Sequence, residues 1–229
     1  MTTFDFGYGP VPAHQHSNGG SWVADTAEVA DTAYVGPDAR VYDNAQVLGN
    51  AQVLDNARVY GNAQVFDDAQ VFDNAQVLNN AWVFGDAIVF DNAQVYGNAI
   101  VFDNARVYGN AKVFDNAHVY GDAIVFGNAK VFDNAQVYGD AIVFGNAQVY
   151  GNAQVFDDAQ VFDDARVYDN ALVHGNAQVF DDALVSGNAW VFDYARVTDN
   201  AQVSGDARVS QEDMFIEMNG KRYKLVEVE

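Results

Sequence analysis

The residues of this chain that could do chemistry are four histidines and a large set of aspartates. His14 and His16 form an H-x-H pair that could ligate a metal, but the sequence shows no third ligand for them. His118 and His174 lie far apart along the chain. No cysteine is present, so the chain has neither a thiol nucleophile nor a disulfide. His14 and His16 are therefore weak metal candidates, and an ordinary polar terminal segment is the alternative.

The aspartates recur at a fixed place in a short repeat, which makes them a second weak metal candidate. Stacked carboxylates repel one another unless they bind cations or take up protons, and calcium prefers oxygen ligands of this kind. No EF-hand or other calcium loop is present, so solvated turns are the alternative, and no other cofactor is expected. The aspartates expected on this corner are Asp67, Asp68, Asp86, Asp103, Asp122, Asp140, Asp157 and Asp158.

A six-residue repeat places all these side chains. Valine occupies every sixth position from Val23 to Val209, and alanine stands two residues before it from Ala27 to Ala207. The unit reads Asn/Asp-Ala-x-Val-Phe/Tyr-Gly/Asp. Because side chains alternate between the faces of a strand, Ala and Val should form a narrow interior, while x and Phe/Tyr should face outward. The Gly/Asp-Asn/Asp pair suits a corner with positive φ, and the period of six excludes a helix.

The valine-to-alanine spacing resembles that of the hexapeptide-repeat family. In that family a small residue follows an aliphatic one by four positions, as Ala51 follows Val47 and Ala57 follows Val53. The resemblance implies a single-stranded left-handed parallel β-helix, an all-β triangular solenoid with three repeats per 18-residue coil. About ten such coils fit the chain. The spacing alone does not give the handedness.

The repeat divides the chain into three parts. We expect residues 1–19 to form an N-terminal cap or attachment segment, residues 20–210 the solenoid, and residues 211–229 a C-terminal cap. Asn219-Gly220 predicts a β-hairpin in that last part, because Asn-Gly is the strongest short hairpin signal. Both caps would cover strand edges that the open ends of a solenoid leave unpaired.

Three repeats per coil sort the outward residues onto three faces. The aromatic column occurs on all three, so its ladders either stiffen the rod or mark an interface. The third face also has isoleucines in the x column, interrupted by Arg106, and is the most apolar. We expect self-association there, through Ile88, Phe90, Tyr108, Ile124, Phe126, Ile142 and Phe144.

A ladder of stacked amides is expected at one corner, from Asn44 to Asn188 at intervals of one coil.

Charge and the first residues limit partners and location. The formal net charge of −21 disfavours binding to nucleic acid and to anionic membranes. The first twenty residues lack the basic and apolar regions of a secretory signal, and no apolar run is long enough to span a membrane. We expect cytoplasmic synthesis, with later assembly in a virion or outside the cell left open.

The function expected from these features is structural. Many hexapeptide-repeat proteins are acyltransferases with a histidine base near an extruded loop, and this chain departs from them because no repeat carries an insertion. The repeat also resembles those of phage-borne and bacterial rods, which implies a fibre or filament component. We therefore expect a non-catalytic, self-assembling rod with itself as partner. An acyltransferase is the first alternative, and a rod that binds glycans through its Tyr/Phe ladders and acidic corners is the second.

Overall fold

A computed structural model describes residues 2–211, 215–218 and 221–224. The described residues form strands joined by tight turns, and from Glu28 to Val209 each strand is two residues long. Each of these short strands consists of the x residue and the valine of one repeat. None of the described residues forms a helix long and apolar enough to cross a membrane.

The strands stack into three parallel sheets, one on each face of a triangular solenoid of about ten turns. Sheet 1, the first face, contains Trp22–Ala24, Arg40–Val41, Arg58–Val59, Gln76–Val77, Gln94–Val95, Lys112–Val113, Lys130–Val131, Gln148–Val149, Arg166–Val167, Leu184–Val185 and Gln202–Val203. Sheet 2, the second face, contains Glu28–Val29, Gln46–Val47, Gln64–Val65, Trp82–Val83, Ile100–Val101, His118–Val119, Gln136–Val137, Gln154–Val155, Leu172–Val173, Trp190–Val191 and Arg208–Val209. Sheet 3, the third face, contains Tyr34–Val35, Gln52–Val53, Gln70–Val71, Ile88–Val89, Arg106–Val107, Ile124–Val125, Ile142–Val143, Gln160–Val161, Gln178–Val179 and Arg196–Val197.

Each strand pairs in register with the strand one coil later, so equivalent residues form columns along the rod. Gln64, for example, pairs with Gln46 below it and Trp82 above it. The backbone bonds follow the same offset, since the Gln46 amide donates to the Ala63 carbonyl over 2.9 Å. The predicted all-β triangular solenoid with coils of ~18 residues is therefore confirmed, while its left hand stays a prediction.

The interior consists of the alanine and valine columns, as the alternation predicts. From Ala45 to Val191 every member of the two columns has 0% exposure. Each buried valine contributes about 1.5 kcal/mol of transfer free energy, and a larger side chain at a fully buried position would overpack the interior. The columns hold the three sheets at a constant separation along the rod.

Both ends of the rod have antiparallel strands added to one sheet. The N-terminal hairpin, Thr3–Asp5 with Pro10–Gln15, extends sheet 1 beyond Trp22–Ala24. The C-terminal hairpin, Phe215–Met218 with Lys221–Lys224, extends sheet 2 beyond Arg208–Val209. Its two strands are paired in the antiparallel register that a turn at Asn219-Gly220 requires. These two residues themselves lie outside the described part of the chain. The boundaries of the three predicted parts stay predictions.

The corner residue after each aromatic adopts positive φ. Gly127 has φ 72°, and a Cβ there would lie 3.0 Å from the Gly145 amide nitrogen of the next coil. Aspartate takes the same position in other coils, as Asp103 does with φ 58°. Both residue types tolerate this region, which explains why Gly, Asp and once Asn, at Asn79, occupy this repeat position from Asp43 to Gly205.

The corner aspartates also bond the next coil. The Asp91 carboxylate accepts the Gly109 backbone amide over 3.1 Å, and the Asp133 carboxylate accepts the Gly151 amide over 3.1 Å. This contact gives an acceptor to a corner amide that no backbone carbonyl reaches in the described chain. Much of the acidic charge of the chain therefore serves the turns.

Two corners have ladders of side-chain amides. The predicted ladder from Asn44 to Asn188 is confirmed: each Nδ2 donates to the Oδ1 one coil later over 3.0–3.3 Å, and Asn188 donates to Asp206. A second ladder, at the corner after sheet 3, runs from Asn74 to Asp164. It consists of the same residue type at the same spacing, so the same reasoning could have predicted it.

The amide ladder predicts a position-specific stability effect. Asn98→Ala removes two ladder bonds, from Asn80 over 3.1 Å and to Asn116 over 3.0 Å. We expect it to lower the free energy of unfolding by about 1–2 kcal/mol, measured by urea denaturation.

Asn104→Ala is the matched control. Asn104 occupies the same corner position in the same coil as Asn98 but belongs to the corner after sheet 2, and its side chain makes no ladder bond in the described chain. Equal losses in the two variants would contradict a stabilising role for the ladder.

Candidate functional site

The aromatic columns form three ladders of stacked rings. Neighbouring rings along sheet 3 lie 4.7 Å apart between Phe90 and Tyr108 and 5.0 Å apart between Phe126 and Phe144, with planes within 11° of parallel. Each ring within a ladder is therefore covered on both faces by its neighbours. The rings face outward as expected, but they are half-buried, because stacking leaves mainly their edges in contact with water.

The predicted self-association residues share one face of the rod. Ile88, Arg106, Ile124 and Ile142 pair one after another in sheet 3, with Ile124 directly beside Ile142. Phe90, Tyr108, Phe126 and Phe144 form the adjoining ladder. The structure thus brings the seven residues into one strip, in which Arg106 stands between two isoleucines. We call this strip the Ile–aromatic strip; its role as an interface stays a prediction.

A second apolar area lies on sheet 2 and escaped the sequence reasoning. Trp82 pairs with Ile100 one coil later, and 41% of the Trp82 residue surface is exposed. These two residues line a shallow groove of about 260 Å³ together with Asn80 and Asn98 of the amide ladder. Both belong to the x column, so comparing that column on all three faces would have found them.

The acidic corner divides into two columns with different surroundings. Asp67, Asp103 and Asp157 are corner residues with positive φ, and each carboxylate accepts the Gly amide one coil later over 3.1–3.4 Å. Asp68 accepts the Asn50 side-chain amide over 3.1 Å. The remaining candidates are exposed next to them: Asp86, Asp122, Asp140 and Asp158.

The structure assembles no metal centre from these candidates. Within the described residues, no group of three His, Asp or Glu side chains is placed to hold a metal ion. His14 Nδ1 lies 2.9 Å from the Asp25 carboxylate, whereas His16 is buried and its Nε2 lies 3.3 Å from the Ala33 carbonyl. The two histidines of the N-terminal cap thus have separate partners in the first coil. Their contacts are those of an ordinary polar cap.

The other two histidines take part in the outer columns. His174 replaces an aromatic and stacks on Phe156 at 4.8 Å, with its Nδ1 3.8 Å from the Asp157 carboxylate. His118 stands in the x column of sheet 2 between Ile100 and Gln136. Both histidines thus stand at outward positions of the repeat.

A cavity of about 390 Å³ lies between the N-terminal hairpin and the first coils. Phe6, Tyr8 and Tyr42 form its aromatic walls, and Asp25 and Asp43 contribute carboxylates. Phe6 stacks on Tyr42 at 5.1 Å and so covers the first ring of the sheet 1 ladder. The cavity is thus a by-product of how the cap closes this ladder, and no motif in the sequence indicates it.

Burial in the ladders changes the titration of the tyrosines. Burial raises the pKa of Tyr60, Tyr96, Tyr120, Tyr138 and Tyr150, because the ionised phenolate would lose water. Three hydroxyls also donate to glutamines of the next coil, as Tyr138 does to Gln154 over 3.2 Å.

These raised values predict a loss of stability in alkali. A tyrosine in the unfolded chain ionises near pH ~10, whereas the folded ladder holds its proton to higher pH. The free energy of unfolding should therefore be unaffected below about pH 9 and fall as pH rises through about 10. Urea unfolding at a series of pH values, with absorbance at 295 nm to follow phenolate formation, measures it.

The variant Tyr120→Phe with Tyr138→Phe is the control for this effect. Both rings keep their stacking, but two raised pKa values are removed, so the alkaline loss should become shallower. An identical pH dependence in this variant would show that other groups cause the loss.

Comparison with known proteins agrees with the repeat and the fold. Seven segments along the rod match the YdcK beta solenoid repeat: residues 51–67, 93–109, 105–121, 135–151, 159–175, 177–193 and 201–212. No curated protein matches the chain. Through these segments and its three parallel sheets, the chain is similar to the YdcK β-solenoid repeat family.

Proposed function

We propose that this chain is a non-catalytic structural rod that associates with copies of itself, as a component of a fibre or filament such as one carried by a virion. The observation that supports this most is the uninterrupted repeat. From Val23 to Val209 no coil carries an insertion, so the rod surface consists of regular columns and corners. Columns of this kind suit contacts that repeat along a length, as between two rods.

The Ile–aromatic strip is the side surface that we propose for this association. Isoleucine occurs in its x column at Ile88, Ile124 and Ile142, where most other coils have Gln or Arg. Ring edges of the sheet 3 ladder lie beside them. Two such strips placed side by side would remove both sets of apolar atoms from water, at about 25 cal/mol for each Å² buried.

The ladder geometry bears on the two alternatives. Glycans bind aromatic residues through ring faces, and those faces are covered within the ladders, so stacking does not favour the Tyr/Phe columns as a sugar platform. An acyltransferase of the hexapeptide type would use a histidine near an extruded loop, and no loop leaves the described coils. The structural role therefore has the better support.

The strip predicts a change in association state. The triple variant Ile88→Asp, Ile124→Asp and Ile142→Asp places three charges on the strip without touching the interior. We expect its association constant to fall by a hundredfold or more, because an unpaired buried carboxylate costs several kcal/mol. Light scattering over a concentration series measures the mass.

The control carries the same added charge on the same sheet. Gln52→Asp, Gln160→Asp and Gln178→Asp change x-column residues that flank the strip, and this variant should associate nearly as the parent chain does. An unchanged mass in the isoleucine variant, or equal loss in both, would count against the strip.

A further inference from the structure

The two ends of the rod carry hairpins on different sheets. The N-terminal hairpin extends sheet 1 and leaves Glu28–Val29 as the first strand of sheet 2. The C-terminal hairpin extends sheet 2 and leaves Gln202–Val203 as the last strand of sheet 1. Each end therefore has a step between sheets 1 and 2. Sheet 1 projects beyond sheet 2 at the N-terminal end, and sheet 2 projects beyond sheet 1 at the C-terminal end.

The outer strand of each hairpin runs in the direction of the rod strands. Lys221–Lys224 is antiparallel to Phe215–Met218, which is antiparallel to Arg208–Val209, so two reversals restore the original direction. Thr3–Asp5 is related to Trp22–Ala24 by the same two reversals. Both ends thus present a strand that could accept a parallel neighbour of the kind found throughout the rod.

The steps have equal height. If a second copy is placed above the first along the same axis, two strands fill the space on sheet 1: the incoming Thr3–Asp5 and Pro10–Gln15. Two strands also fill the space on sheet 2: Phe215–Met218 and Lys221–Lys224 of the first copy. Both sheets then continue from copy to copy with the same spacing of about 4.8 Å per strand.

The interior is open where the steps leave it uncovered. Ala27 and Val29 are only partly buried at the N-terminal end, whereas the same two columns have 0% exposure from Ala45 to Val191. Ala201, a member of the alanine column, is exposed at the other end. A copy stacked on either end would complete the burial of these residues.

The two strands that this stacking brings together carry residues of opposite charge. The outer C-terminal strand has the sequence Lys-Arg-Tyr-Lys, which contains Lys221, Arg222 and Lys224 in a chain with only 11 Lys and Arg residues. The open strand at the N-terminal end contains the exposed Glu28, and Asp25 and Asp31 flank it, also exposed. The basic strand would lie directly against this acidic edge.

We propose that copies of this chain join head to tail, with Lys221–Lys224 of one copy pairing in parallel with Glu28–Val29 of the next, and Thr3–Asp5 of that next copy pairing with Gln202–Val203 of the first. The partner is a second copy of the same chain. This inference rests on the proposed self-association but uses the rod ends, which the Ile–aromatic strip does not involve. Because the contact is heterologous, it generates open filaments one rod wide.

Charge reversal at each end tests the joint in the full chain. Glu28→Lys changes the acidic edge, and Lys221→Glu with Arg222→Glu changes the basic strand. Each variant alone places like charges across the joint and should weaken association by roughly tenfold or more. Sedimentation velocity measures the association, and electron microscopy measures particle length and width.

Mixing the two variants is the decisive experiment for the joint. In the mixture the reversed N-terminal end of one variant meets the reversed C-terminal end of the other, and the two unchanged ends also match, so filaments should form again. Asp122→Lys and Lys130→Glu, exposed charge reversals in the middle of the rod, are the matched controls and should leave filament length unchanged.

The outcomes separate this joint from the proposed function. Particles that lengthen in multiples of about 60 Å, the length of 13 strands at about 4.8 Å each, at constant width, that shorten in both variants and that recover in the mixture support the joint. Particles that widen at constant length overturn the joint and leave side-by-side association standing. A parent chain that is monomeric at every concentration overturns both, and variants that assemble as the parent chain does overturn the joint.

Discussion

The structure depends on one constraint, the narrow lumen that the alanine and valine columns fill. Because both columns have 0% exposure from Ala45 to Val191, a shift of one residue in any coil would turn these side chains outward and polar ones inward. This cost fixes the register of every coil against the next. All other regular features follow from that register, since it stacks identical residues at intervals of one coil.

Register converts individually weak contacts into continuous ladders. A single exposed amide pair contributes little, but the ladder from Asn44 to Asn188 repeats the same bond in every coil. The rings behave likewise, and the corner carboxylates bond the next turn, as Asp91 bonds Gly109. The acidity of the chain is therefore partly structural. It also keeps rods with such regular surfaces from precipitating, because net charge far from zero opposes nonspecific association.

The sequence predicts most of the rod and less of its surface chemistry. The six-residue period specifies the interior, the corners and the three faces, because it repeats without an exception from Val23 to Val209. It does not show that ring faces are covered, since the spacing between Phe126 and Phe144 depends on the stacking of backbones. It likewise does not reveal the amide partners of Asp67 and Asp103, which are one coil away. The stepped ends escaped prediction because pairing between hairpins and sheets is a matter of topology that no short motif encodes.

If stacking in register is the central constraint, whole coils should be removable units. A chain that lacks residues 92–109, one complete coil, keeps every column continuous across the junction. Small-angle X-ray scattering of this chain at low concentration measures both its length and its cross-section. The account predicts a rod shorter by about 5 Å with an unchanged cross-section. A changed cross-section, or the loss of the extended shape, would contradict it.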